Sequence, residues 1–321
     1  MNGGNRHLLE RLYIEKGKHM KNFIGSRAMP DLIYHSPEDM DGLMSLLQNN
    51  TKNGQQKVKI VAGCTDFVPA VRTGRWDFKP GINIIDIKKI KSLNYIKKED
   101  NQLKIGACTR LVQIFESLDI LENAKVLSQA VGQMASLQVR NTATIGGNLC
   151  MSSPAADSAP VLLVLDAKVT LQDPKGAQEI WLKDFFTGPG QNVLKSDQIL
   201  TQISFPIQEG HEAAHFLKIG TRTAVIIAVV STAVGMGIKN GVCENPKIAL
   251  GSVAPTPIRV EKAEKFLHHK FLDDQTIEAC AKIVSEEITP ITDLRAGKEY
   301  RKDMASTLVK RAILACRKEK K

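Results

Sequence analysis

The chain has 321 residues, 43% of them apolar, which is enough for two or three domains with sizeable cores and argues against disorder. Its formal charge is +10, but residues 1–27 and 296–321 carry the whole excess, so the body lacks the basic face that binding to nucleic acid requires. Aromatic residues are only 5%, and the six cysteines (Cys64, Cys108, Cys150, Cys243, Cys280, Cys316) stand far apart with no CxxC pair, which argues against an iron–sulfur or zinc site and for a reducing, cytoplasmic setting.

Leu32-Ile33-Tyr34 reads as a strand, and Ser36-Pro37-Glu38-Asp39 as a helix start with Ser36 as its cap. Leu43, Leu46 and Leu47 have helical spacing. Val58–Ala62, Ile82–Ile87 and Leu103–Ile105 are strand candidates, with a charged, hairpin-like stretch over Lys88–Glu99. Leu111–Leu121 and Ala124–Ala135 read as helices, Asn141–Ser153 as a glycine-bearing loop, and Pro154–Leu165 as an apolar helix. A hairpin turns at Asp173-Pro174-Lys175-Gly176. Strands follow at Leu200–Phe205, His215–Ile219, Ile226–Gly237 and Lys247–Val253, and after Pro257 the chain turns helical. The longest apolar run, near Ala224–Ile238, is too short and too interrupted to span a bilayer. No apolar h-region marks a signal peptide near the start. The class is therefore α+β, with an extension over residues 1–27 and units over 28–80, 81–208 and 209–321.

Two segments share one design. Val61-Ala62-Gly63-Cys64-Thr65-Asp66-Phe67 is a strand breaking into a loop, and Thr144-Ile145-Gly146-Gly147-Asn148 holds adjacent small residues. Such loops let backbone pass close to a ligand, and successive N–H groups make a concave anion site. Thr65 and Thr144 add hydroxyls. Neither loop matches a Walker A or a GxGxxG before a helix. The seven histidines show no catalytic spacing, so no catalytic residue and no metal ligand is expected in the chain itself.

The second loop and its sequel, Thr144-Ile-Gly-Gly-Asn-Leu-Cys-Met-Ser-Ser-Pro-Ala-Ala-Asp157-Ser-Ala-Pro160, resemble the FAD subunits of molybdenum hydroxylases such as xanthine, carbon monoxide and nicotinate dehydrogenases. The loop at 60–67, Gly251–Arg259 and Asp293–Arg301 resemble further motifs of that family in the same order, from about residue 28 to 315.

The resemblance implies a two-part FAD-binding domain of the PCMH and CO dehydrogenase flavoprotein type. A C-terminal α+β domain with a three-stranded antiparallel sheet and helices would follow. It implies FAD as cofactor and an electron-relay role beside a molybdopterin-containing large subunit and a small subunit with two 2Fe-2S clusters. NAD or another acceptor would take the electrons. Carried over residue by residue, Val61 through Phe67 wrap the diphosphate, with Asp66 pointing away or capping the next turn. Thr144, Ile145, Gly146, Gly147 and Asn148 form the second FAD loop. Asp157 accepts from a cofactor hydroxyl, Leu200 is an apolar flavin contact and Lys218 lies near FAD.

Cys64 stands where relatives often carry a second glycine, a change the backbone role survives if Cys64 needs no positive φ. Thr223-Ala-Val-Ile-Ile227 is apolar where relatives often carry polar or aromatic residues, which suggests a dry partner surface in place of an open nicotinamide site. No cysteine-rich insert follows Asn148, so flavin alone is expected here. The competing readings are a self-sufficient flavin oxidase and a basic binding protein without enzymatic activity.

Overall fold

Short runs of apolar, β-branched residues decide the first sheet. In this computed structural model, residues 29–52, 58–76, 78, 81–207, 212–222 and 225–319 are described. Strand β1 (Leu32–His35) and β2 (Val58–Val61) flank β3 (Ile82–Asp86), and both pair with it in parallel. All five residues of β3 are buried, as expected of a central parallel strand. Helix α1 (Met40–Lys52) makes the crossover. Its start differs from the expectation: the Asp39 carboxylate, not Ser36, accepts the N–H of Gly42 at 2.8 Å. Leu43 and Leu47, one turn apart, both bury against this sheet beside Ile85. Helix α2 (Phe67–Arg72) follows β2.

The second sheet has five antiparallel strands. They are β4 (Ile96–Glu99), β5 (Gln102–Gly106), β6 (Lys168–Asp173), β7 (Gly176–Trp181) and, after the small ribbon β8 (Phe186–Gly188) and β9 (Gln191–Asn192), β10 (Ile199–Pro206). The spatial order is β4-β5-β10-β6-β7, so the last strand in sequence fills the middle. Asp100 and Asn101, both at positive φ, turn the β4–β5 hairpin, which lies later than the hairpin expected within 88–99.

Helices α3 (Leu111–Glu116), α4 (Leu118–Asn123), α5 (Lys125–Gly132), α6 (Leu137–Arg140), α7 (Ile145–Cys150) and α8 (Ser158–Val164) cover this sheet. The helix expected over 111–121 breaks at Ser117, which turns extended and caps α4 by accepting from Ile120 N–H. All seven residues of α8 are buried.

The third sheet is antiparallel: β11 (Glu212–Ile219), β12 (Val230–Lys239), β13 (Val242–Gly251) and the two-residue β14 (Ile258–Arg259). The three long strands are those the resemblance implies, and β14 adds a short edge. The register of β12 slips between Gly235 and Gly237, and a Cβ on Gly235 would stand 2.7 Å from Val164 of α8. Helices α9 (Glu261–Leu267) and α11 (Lys298–Glu319) pack on this sheet and α10 (Asp274–Glu287) packs against both of them, with Cys243, Cys280 and Cys316 as buried free thiols. Arg259 ties this layer to the second unit, donating to Asp166 Oδ1 at 2.9 Å and to Leu163 O at 3.2 Å.

Candidate functional site

The first glycine loop is set by the strand that precedes it. Val61 closes β2 and accepts from the N–H of Ile87, after which Gly63–Asp66 turn into α2. A Cβ on Gly63 would lie 2.3 Å from Thr142 O and 2.9 Å from Ala143 Cα, so only glycine lets the two loops touch. Cys64 has φ +56°, which overturns the condition set for it: this position does take the left-handed conformation that glycine favours. Among the described residues, the N–H groups of Gly63, Cys64, Thr65 and Asp66 find no acceptor. Successive unused donors around a left-handed residue are the ingredients of a concave anion-binding nest. Asp66 occupies the cap position of α2 but makes no capping bond, and it is exposed.

The second segment is helical, not a loop. Thr144 caps α7, its Oγ1 accepting from Gly147 N–H at 3.1 Å. Ile145 N–H donates to Thr109 O and Gly146 N–H to Ala107 O. These donors are therefore used inside the protein, and of 144–148 Thr144 N–H alone lacks an acceptor among the described residues. Gly146 serves packing: a Cβ there would stand 2.7 Å from the Ala107 Cβ and carbonyl oxygen. Asn148 Oδ1 accepts from Ser158 Oγ at 2.6 Å, joining α7 to the start of α8.

Between the loops runs an open groove. Val61 through Phe67 line one wall, and Thr144, Gly147 and Asn148 line the other. Lys59, Trp76, Cys150 and Met151, which sequence reasoning passed over, also line it. Burial lowers the Lys59 pKa, raises that of Cys64, and pushes Cys150 up to about 12.

The remaining predicted residues lie elsewhere. Ile145 and Leu200 are buried in the core, with Leu200 facing Leu171 across β10–β6. Leu200 backs the site indirectly: its neighbour Thr201 accepts from Ala107 N–H, and Ala107 O holds Gly146. Lys218 donates to Asp157 Oδ2 and to Gln133 O, both at 2.7 Å. Among the described residues, Asp157 Oδ1 is buried with no partner. Burial raises the Asp157 pKa, and Lys218 opposes the rise.

The family described as FAD binding domain in molybdopterin dehydrogenase matches residues 26–208. The chain belongs to this family. The CO dehydrogenase flavoprotein C-terminal domain matches residues 215–316. A xanthine dehydrogenase FAD-binding subunit of Escherichia coli O157:H7 is 33% identical over 283 residues, covering 87% of this chain and 94% of that one. A nicotinate dehydrogenase FAD-subunit of Eubacterium barkeri is 32% identical over 292 residues, covering 89% and 96%. A chain of the Hydrogenophaga pseudoflava carbon monoxide dehydrogenase that lacks the Mo-pyranopterin moiety matches with a TM-score of 0.84 at 28% identity, covering 90% of this chain and 98% of that one.

The chain is thus the FAD subunit of a molybdenum hydroxylase-type dehydrogenase, and an oxidoreductase component. The residues present fit FAD: a nest of free N–H groups, a contact at Gly63 that a Cβ would block, and a buried carboxylate oxygen awaiting a donor. Among the described residues, no helix is long and apolar enough to cross a membrane, and no cluster of three metal-ligating side chains occurs.

Proposed function

We propose that this chain holds FAD and relays electrons within a larger complex. A molybdopterin-containing large subunit would oxidise the substrate, and a small subunit with two 2Fe-2S clusters would pass electrons to the flavin. NAD or another acceptor would receive them, in the cytoplasm. Flavin, when bound, supplies the exchange between one-electron carriers and a two-electron acceptor.

The observation that carries this reading is the row of unused N–H groups over Gly63–Asp66, facing Thr144 across the groove. In this reading Val61 through Phe67 cradle the diphosphate with backbone donors, and Cys64 supplies the left-handed turn that points them inward. Thr144, Gly147 and Asn148 close the other side, while Ile145, Gly146 and Leu200 support it from the core. Asp157 Oδ1 accepts a cofactor hydroxyl, and Lys218 holds the opposite oxygen so that the carboxylate keeps one orientation. FAD-binding parts over 28–80 and 81–208 and a third unit from 209 complete the proposal. Val225 and Ile227 are exposed, which suits a dry partner contact, while Thr223 and Ala224 lie outside the described residues.

The test is an absorption spectrum of the purified chain, extraction of the cofactor and analysis of what co-purifies. A flavin spectrum, FAD in the extract and molybdenum and iron–sulfur subunits alongside are expected. A colourless chain that takes up no FAD overturns the reading. Fast NAD reduction by the complex would overturn the dry-surface part alone.

A further inference from the structure

Lys59 precedes Val61 by two residues in β2, so the two side chains share one face of the strand. Phe67, Trp76 and Phe78 cluster with ring centroids 5.8–6.2 Å apart, and Val61 packs with them. Lys59 Nζ stands 4.5 Å from the centroid of the Trp76 ring, and both residues line the groove beside Gly63–Asp66.

No carboxylate pairs with Lys59 among the described residues. The nearby Cys150 thiol is no counter-charge either, since burial keeps it neutral. The ammonium is more than half buried, and burial alone lowers its pKa. A partly desolvated cation whose sole partner is an aromatic face is a cost to the empty fold, and it is recovered when an anion arrives. The Trp76 ring fixes where the ammonium sits and keeps water from one side of it.

We propose that Lys59, held over Trp76, is the side-chain cation of the cradle and binds the diphosphate of the dinucleotide beside the N–H row of Gly63–Asp66. The proposal rests on the FAD reading above, and it adds a charged anchor to the backbone donors proposed for the diphosphate. It predicts that affinity has an ionic component, which neutral N–H donors alone would give only weakly. Affinity should also fall as pH rises toward and through the lowered Lys59 pKa, because the unprotonated amine carries no charge.

The test uses the full chain stripped of flavin and titrated with FAD at low and high salt, as wild type, K59M and K59R. K59M is expected to weaken binding about ten- to a hundredfold and to flatten the salt dependence. K59R should keep both the affinity and the salt slope nearly intact. The apo form of K59M should melt no lower than wild type, because a desolvated charge has been removed, while the rise in melting temperature on adding FAD shrinks. K59M that binds FAD within about twofold of wild type, with the same salt slope, overturns the proposal. A loss of binding that merely tracks a lower apo melting temperature also overturns it, as that is a folding defect. A wild-type chain that takes up no FAD overturns the underlying function reading, a separate and recognisable result.

Discussion

Lys218 Nζ lies 2.7 Å from Asp157 Oδ2, with both side chains almost wholly buried. The pair joins β11 of the third sheet to the start of α8 in the second unit, and Lys218 also holds Gln133 O at the end of α5. Two charges in low dielectric are tolerable only as a pair, and here the pair leaves one carboxylate oxygen free. In the function proposed above, that oxygen accepts a cofactor hydroxyl.

Replacing Lys218 by Met should therefore cost about 3–5 kcal/mol at neutral pH, since Asp157 is left as an uncompensated buried charge. The sign of the pH dependence follows from burial, which raises the Asp157 pKa in the fold. Without Lys218 to oppose it the rise is larger. The penalty is then full above the raised folded pKa and fades as pH falls toward the ordinary carboxylate value. Urea melts of K218M at neutral and acid pH check this, with the deficit shrinking in acid. The double variant D157N/K218M should recover much of the loss. A deficit equal at both pH values would show that packing, not charge, holds the junction.

Much of this architecture is legible in the sequence, and the exceptions have physical causes. The strand at 58–61 and the buried helix at 158–164 follow from apolar runs between breakers. Thr144–Asn148 reads as a loop because two glycines each cost a helix about 1 kcal/mol. Bonds from Ile145 and Gly146 to Thr109 and Ala107, distant in sequence, override that preference. Lys59 passes unnoticed because a lone lysine in a short strand looks solvated. Only the fold brings Trp76, seventeen residues on, beneath it. The Asp157–Lys218 contact spans 61 positions and has no local signature beyond the family resemblance.

Cys64 to Gly should stabilise the apo chain by about 1 kcal/mol, because a residue with a Cβ is strained at φ +56° and glycine is not. Val at the same place, β-branched and bulkier, should destabilise by more than that. FAD affinity of C64G is expected to match wild type, since the N–H row is unchanged. Thermal melts and flavin titrations of the two variants separate these effects. A C64G chain less stable than wild type would mean that thiol packing outweighs backbone strain.

The glycines should rank by what a Cβ meets. Gly63 to Ala drives a methyl to within 2.3 Å of a backbone oxygen, and Gly146 to Ala to within 2.7 Å of Ala107. Backbone cannot yield cheaply, so each should cost about 1–3 kcal/mol, and G63A should also purify without flavin because it pushes the loops apart. Gly147 to Ala meets the Thr144 hydroxyl at 2.9 Å, a side chain and not backbone, so it should lose less flavin than G63A. Flavin-to-protein ratios of the three purified variants test the order. G63A with a full complement of flavin would break the link drawn between loop contact and binding.

Arg301 lies buried in α11 and reaches back to the sheet, donating to Val229 O at 2.7 Å and Ser252 O at 2.9 Å, and to Asp293 Oδ1 at 2.7 Å. It thereby fixes the chain just ahead of β12, close behind the exposed Val225 and Ile227. Leucine at 301 would leave the Val229 and Ser252 carbonyls without this donor, while Asp293 keeps Arg295 and the Ala296 N–H, at a cost of about 3 kcal/mol. Lysine, with one compact ammonium in place of a fork, can serve only part of the set and should recover a fraction of the loss. The Val229 N–H, bonded to Ile219 O at 2.8 Å, is the local reporter. Its hydrogen exchange should accelerate in R301L well beyond the change at β3, which lies in another sheet. Uniform acceleration across the molecule would point to a global loss of stability and against a local clamp at this segment.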